Sequence, residues 1–182
     1  MLRSLKTLSI MVNKRHPVVD VYDQLRTARL NVRYFEADLK RLGKINFGIE
    51  VVLALAASST FAGLWFWANA FGGMLWKIFS AIAAIIAILK PKINLTKIIQ
   101  SKEVQLAGYR VLDHEFQKIT ILVNQRQRYD DELKKLFVDA LDRKGELIKK
   151  DEQFKRDEKL VSRCYEQVLT ELPETSFFVP KE

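Results

Sequence analysis

One stretch, Val51 to Leu89, constrains the fold of this chain more than any other feature. It is almost continuously apolar and contains a single charged residue. A bilayer core of about 30 Å takes roughly 20 apolar residues for each helical crossing, and this stretch is about twice that length. The pattern therefore predicts a transmembrane hairpin of two helices, at about 47–71 and 74–90. Its turn is expected at Gly72 and Gly73, because glycine adopts turn conformations at little steric cost.

The alternative for so apolar a run is the buried core of a soluble domain. Core helices of that kind carry polar residues on one side, whereas this stretch is apolar all round. All three tryptophans fall near the turn, as in an aromatic belt at a membrane surface: Trp65, Trp67 and Trp76. The residues predicted to form a basic membrane-surface cluster flank the other end: Lys40, Arg41, Lys44, Lys90 and Lys92. By the positive-inside tendency, both termini are expected in the cytoplasm.

The charge of the chain lies outside this stretch. The 182 residues include 30 Lys and Arg against 22 Asp and Glu, which gives a formal net charge of +8. Because the positive charge is densest beside the apolar stretch, the lipid bilayer is the expected partner and nucleic acid is not. The single cysteine, Cys164, excludes a disulfide framework within one chain.

Residues 1–44 are predicted to form an N-terminal cytoplasmic amphipathic helix, followed by the hairpin region at 45–90. Pro17 suits the first turn of a helix, where its missing N–H has no intrahelical partner to lose. From there, apolar residues recur at alternating steps of three and four, which is a heptad seam: Val18, Val21, Leu25, Ala28, Val32, Phe35, Leu39 and Leu42. This helix is expected to lie beside a partner helix.

The part after the hairpin, residues 91–172, is predicted to be a second cytoplasmic helical region. Apolar heptad positions continue through it but are weakest near Gly145, where the chain is expected to reverse. Two helices, at about 94–142 and 146–171, are favoured, and one continuous helix is the alternative.

The last residues, 173–182, place two phenylalanines and a valine between two prolines. They are predicted to form a flexible tail. The alternative is a short segment that docks on a partner.

Small and polar residues within the hairpin are the candidate pore and packing positions. Small residues at four-residue spacing let helix backbones approach closely, and an acid at the membrane edge marks a candidate pore mouth. These positions are Glu50, Ala54, Ser58, Ser59, Ala62, Gly63, Ser80 and Ala84. Two alternatives stay open: the small residues only close the hairpin, and Glu50 only pairs with Lys90 or reaches the head groups.

Six apolar residues form the candidate seam for self-association: Val32, Phe35, Leu39, Leu112, Phe116 and Ile119. Narrow apolar stripes bury little surface in isolation, so helices that carry them must pack together or on other copies. The sequence has no catalytic constellation, phosphate-binding loop or metal-ligand spacing. An enzyme activity, a metal and a cofactor are therefore not expected.

Three parts of the sequence carry a resemblance: the heptad helix Val18 to Leu42, the hairpin Val51 to Leu89, and the Lys90-Pro91-Lys92 exit into a helix with Tyr109, Leu112 and Phe116. In this order they resemble the SLATT superfamily of bacterial two-transmembrane effectors. The resemblance implies an all-α membrane protein with a cytoplasmic layer of long, coiled-coil helices.

The function implied by this resemblance is that of an antiphage effector. Such a multi-pass protein of the bacterial inner membrane would oligomerise and permeabilise that membrane, beside a cytoplasmic sensor or nucleotide-signalling partner. The alternative is a non-conducting membrane anchor or scaffold that docks a cytoplasmic partner through its helices.

Overall fold

The computed structural model describes residues 16–66, 78, 81–90, 94–151 and 156–180, with the backbone alone for 56–66, 150 and 151. The described part of the chain is helical, and no strand occurs in it. In chain order, the helices are α1 (Pro17–Phe66), α2 (81–90), α3 (Leu95–Arg126), α4 (Asp131–Asp151) and α5 (Glu158–Glu171), followed by a 3-10 turn at Glu174–Ser176. The prediction of an all-α fold is confirmed.

The first helix, α1, is 50 residues long. It begins at Pro17, as predicted, and His16 precedes it as a cap, since its Nδ1 accepts the amide of Val18 at 3.2 Å. The predicted heptad seam is buried at Val18, Val21, Leu25, Ala28, Val32 and Phe35. The helix runs without a break across the predicted boundary between residues 44 and 45. Apolar periodicity therefore identifies the buried side of α1 but not its end.

The chain divides into two compact units. Unit 1 comprises Met1–Tyr34 and Gln105–Glu182, and unit 2 comprises Phe35–Val104. Both boundaries lie inside helices, one in α1 and one in α3. They differ from the predicted domain boundaries, which followed the two ends of the apolar stretch.

The core of unit 1 is built from apolar side chains of four helices, α1, α3, α4 and α5. Outside α1, its buried members include Tyr109, Leu112, Phe116, Ile119, Val123, Leu133, Ala140, Cys164 and Val168. Each large apolar side chain that leaves water contributes roughly 1.5–3 kcal/mol. Packing between the helices therefore supplies the stability that a narrow apolar stripe cannot supply alone.

The region after α2 forms three helices, so the predicted reversal at Gly145 is wrong. α3 ends at Arg126, and the next residue, Gln127, adopts a left-handed φ of 56°. Asp130 then begins α4, because its carboxylate accepts the amide of Leu133 at 3.1 Å. Such a cap satisfies one of the amides that a helix start leaves without an intrahelical partner. Gly145 lies inside α4, which continues past it to Asp151.

A second break separates α4 from α5. Asp157 is the N-cap of α5, and its carboxylate accepts the amides of Lys159 and Leu160 at 3.1 and 3.3 Å. Neither the favoured pair of helices nor the single continuous helix includes this break, so both predictions are wrong at this point.

The tail is packed against α1 of unit 1, which differs from the predicted flexible end. The ring of Tyr22 stacks on Phe177 with centroids 4.0 Å apart, and Pro180 is buried. Residues 173–180 are thus part of the fold of unit 1, and residues 181–182 lie outside the described part.

Among the described residues, no helix is both long enough and apolar enough to cross a membrane. The predicted transmembrane hairpin and the predicted location, a multi-pass inner-membrane protein with cytoplasmic termini, are therefore wrong. The expected turn at Gly72 and Gly73 lies outside the described residues.

Candidate interaction surface

Unit 2 carries an exposed row of large apolar side chains on α1. Phe47, Val51 and Leu55 recur every four residues and are 67%, 38% and 54% exposed. Residues four apart lie on the same side of a helix, so these three side chains form one stripe. Ala54, a predicted packing position, is exposed beside them.

A second exposed row lies on α2 and just before it. Ile78, Ile82, Ile85 and Leu89 follow one another at steps of four, three and four, and Ile88 is 63% exposed beside them. Ala83 is the buried residue of α2, at 5% exposure, whereas the predicted packing residue Ala84 is exposed. The two rows together are called the apolar surface below: Phe47, Val51, Leu55, Ile78, Ile82, Ile85, Ile88 and Leu89.

An ion pair connects α1 to α2 within unit 2. Lys90 Nζ lies 3.8 Å from Glu50 Oε1, which also accepts a hydrogen bond from Asn46 Nδ2 at 2.9 Å. The structure therefore contains the Glu50 to Lys90 pair that was one of the alternatives for this acid. Both side chains are more than a third exposed, so solvent screens the pair and it contributes at most about 1 kcal/mol.

The other predicted hairpin and basic residues are placed as follows. Lys40, Arg41 and Lys44 are exposed on α1. Ser58, Ser59, Ala62 and Gly63 lie in the part of α1 for which the backbone alone is described. Ser80 and Lys92 lie outside the described residues.

The residues of the predicted self-association seam pack within a single chain. Val32, Phe35, Leu112, Phe116 and Ile119 are all buried, and Leu39 is half-buried. Side chains that already pack within a single copy have little surface left for another copy. Their role in self-association stays a prediction.

A buried ion pair in unit 2 was not identified from the sequence. Lys102 Nζ bonds to Asp38 Oδ2, and the two residues are 7% and 8% exposed. A signal existed, because Lys102 occupies an apolar seam position in the heptad frame. A lysine at such a position requires an acidic partner, since an isolated buried charge is strongly disfavoured.

Unit 1 is tied together by ion pairs between its own helices. Arg29 of α1 donates through Nε to Asp113 of α3 at 2.8 Å and lies 3.6 Å from Glu171 of α5. The hydrogen bond to Asp113 raises the pKa of Arg29 above its usual value. Glu171 also accepts from Arg33 at 2.7 Å. These contacts link α1, α3 and α5 within unit 1. The apolar surface of unit 2 is exposed and is the candidate functional site.

No group of acidic, histidine and cysteine residues that could hold a metal ion occurs in the described part of the chain. Comparison with protein-family models, curated proteins and solved structures found no match to this chain. The resemblance to SLATT effectors therefore stays a prediction, carried by the order of the parts.

Proposed function

We propose that this chain is a self-assembling helical scaffold, not an enzyme, whose copies associate through the apolar surface of unit 2. One observation carries the proposal: eight large apolar side chains on two helices of unit 2 are each about half exposed. Contiguous exposed apolar area beyond a few hundred Å² marks an interaction site, because water does not solvate it favourably.

The size of the surface supports a stable contact between copies. At about 25 cal/mol per Å², the 1.5–3 kcal/mol gained when one large aliphatic side chain is buried corresponds to roughly 60–120 Å², so eight that are half exposed present roughly 250–500 Å². A standard protein interface buries about 800 Å² per partner. The apolar surface alone is therefore about half of what one copy contributes to such an interface.

The chemistry of the surface favours a second copy as the occupant. Its members are aliphatic apart from Phe47, so the surface that covers it is expected to be apolar as well. Identical surfaces of this kind match one another across a two-fold axis, which is the commonest symmetry of soluble oligomers. The exposed Ala54 and Ala84 add no bulk, so helices of two copies can approach closely.

Self-association was one part of the effector hypothesis, and this part is kept in the proposal. Permeabilisation was the other part, and it requires helices that span the bilayer. It is not carried forward, because the location on which it depended is wrong.

Cysteine cross-linking tests the proposal. The native Cys164 is buried, and burial raises the pKa of its thiol, so a new exposed cysteine is the reactive one. We expect Ile85→Cys to give a disulfide-linked dimer under mild oxidation. Val138→Cys, on α4 of unit 1 with a similar exposure of 52% against 56%, is the matched control and is expected to stay monomeric.

Two outcomes would contradict the proposal. Equal cross-linking of both variants would show random collision rather than a specific contact. Absence of the dimer, together with binding of the protein to phosphatidylethanolamine and phosphatidylglycerol vesicles, would show that lipid covers the apolar surface instead of a second copy.

A further inference from the structure

Unit 1 has a groove on α1 that is occupied by residues 177–180 of the same chain, the tail segment. Tyr22 lines the groove, and its ring stacks on Phe177 at 4.0 Å with an angle of 9° between the planes. Its hydroxyl donates to the carbonyl of Phe178 at 3.0 Å and accepts the amide of the same residue at 3.1 Å. Tyr22 thus contacts the ring of Phe177 and bonds to both main-chain polar groups of Phe178.

Arg26 completes the groove one turn further along α1. Its guanidinium lies 4.6 Å from the centre of the Phe177 ring. The same group donates twice to the carbonyl of Leu172, at 3.0 and 2.7 Å, and once to Glu174 at 3.3 Å. Arg26 therefore holds both ends of the connection that leads from α5 into the tail segment.

The tail segment leaves part of the groove open. Two cavities of about 220 and 210 Å³ adjoin it, and both are lined by Tyr22 and Phe177. The first is also lined by Val19 of α1 and by Val179 of the tail segment. Val179 is 41% exposed. The groove therefore resembles a site for a short extended peptide more than a sealed core, in which side chains interdigitate with few voids.

The connection to the tail segment is built as a hinge. Pro173 follows the end of α5, and a single 3-10 turn then leads to the segment. Two main-chain bonds hold this turn, from Ser176 to Pro173 at 3.1 Å and from Phe177 to Glu174 at 3.2 Å. The four residues 173–176 extend to about 13 Å when the turn opens, which redirects the segment without unfolding a helix.

We propose that the groove of Tyr22 and Arg26 binds the tail segment of a second copy, so that neighbouring copies exchange tails. A second copy carries the sequence that the groove already fits, and exchange of an identical element is a low-cost route to association. Tail exchange uses unit 1 and does not depend on the apolar surface of unit 2.

The test mixes two singly substituted full-length chains. One carries Val19→Cys in the groove and the other carries Val179→Cys in the tail segment, and a short thiol-specific cross-linker is added. Exchange is expected to join the two chains to each other. A chain carrying both substitutions controls for the position of the tail, since its groove and tail cysteines are expected to be cross-linked in either case, within one chain or between two chains. Lys135→Cys, exposed on α4, replaces Val19→Cys in the negative control.

Phe177→Ala gives opposite effects in the two chains. In the tail-donating chain it removes the stacked ring, and the cross-linked product is expected to fall about tenfold. In the groove-donating chain it weakens the competing tail of that chain, so the product is expected to rise. Thr175→Ala, an exposed change in the hinge, is the matched control and is expected to change neither.

Two results would overturn the proposal. If the doubly substituted chain closes on itself but the mixed chains never join, the tail segment belongs permanently to its own groove. If the doubly substituted chain forms no cross-link, either within one chain or between two chains, the segment does not occupy the groove at all.

Discussion

Asp38 and Lys102 form the most deeply buried ion pair among the described residues of unit 2, with less than a tenth of each residue exposed. The stability that such a pair adds is small, because both charges lose their hydration when they are buried. Removal of one partner is much more costly, since the other charge then loses this opposite charge while it stays buried.

We expect Asp38→Leu to destabilise the protein by about 3–5 kcal/mol, and Lys102→Met to do the same. The double variant is expected to recover most of this loss, because it leaves no isolated charge. Urea unfolding followed by circular dichroism measures all three. Additive losses in the double variant would contradict the pairing of the two side chains.

Asp130 makes the start of α4 sensitive to acid. The amide of Leu133 donates to its carboxylate and lowers its pKa, and the guanidinium of Arg126, at 3.0 Å, lowers it further. A carboxyl group whose pKa is lower in the folded state stabilises the fold above its unfolded value of about 4. This stabilisation is lost as the pH falls through the lower, folded value.

Asp130→Ala is expected to lower the melting temperature at pH 7, and the difference from the parent protein should shrink as the pH falls below about 4. Thermal melts at a series of pH values provide the measurement. Asp131→Ala is the control, because its 95% exposed side chain bonds only to Lys134. A difference for Asp130→Ala that does not depend on pH would exclude the carboxylate as the cap.

At the scale of helices, the space around each glycine shows whether a neighbouring helix lies close to it. A Cβ added at Gly43 in α1 or at Gly145 in α4 would meet no atom within 4 Å. A Cβ at Gly108 in α3 would lie 2.5 Å from a terminal carbon of Leu147 in α4. Gly108 therefore marks where α3 approaches α4 closely.

Gly43→Ala and Gly145→Ala are each expected to stabilise the protein by about 0.5–1 kcal/mol, because alanine loses less backbone freedom than glycine in a helix. Gly108→Ala is expected to raise the free energy of unfolding by less than this, since the side chain of Leu147 must move to make room for the new Cβ. Chemical unfolding of the three variants compares them directly. An equal gain at all three positions would contradict the close approach of α3 and α4.

The helices differ in how far the sequence predicts them. The start of α1 at Pro17 and its buried seam follow from local chemistry and period. The break between α3 and α4 also had a local signal, since Asp130 precedes Asp131 and Glu132, as an N-cap precedes an acidic first turn. The prediction followed the weaker apolar pattern near Gly145 and did not use that signal. Capping chemistry was the better guide to where the helices end.

The candidate surface was only partly predictable, for a physical reason. The apolar character of Val51 to Leu89 is evident in the sequence, and the structure leaves much of its described part exposed. Exposure depends on which helices lie beside these residues, and local sequence does not specify that. The tail groove was missed for the same reason, because Tyr22 and Phe177 are far apart in sequence and meet only in the folded unit.

At the scale of the molecule, each unit is described by a different feature. Unit 1 pairs charged groups between its own helices, as in the contact of Arg29 with Asp113. Unit 2 exposes Ile85, Ile88 and other large aliphatic side chains of the apolar surface. We expect this second surface to be buried between copies.

Sedimentation equilibrium of the 182-residue chain measures this association. We expect the parent protein to sediment as an oligomer of the 21.1 kDa chain and Ile85→Glu to shift it towards the single chain, because a buried unpaired carboxylate opposes association. Val138→Glu, an equally exposed change in unit 1, is expected to leave the oligomer intact. A parent protein that sediments as a single chain at every concentration, or an oligomer that Ile85→Glu does not weaken, would contradict the claim.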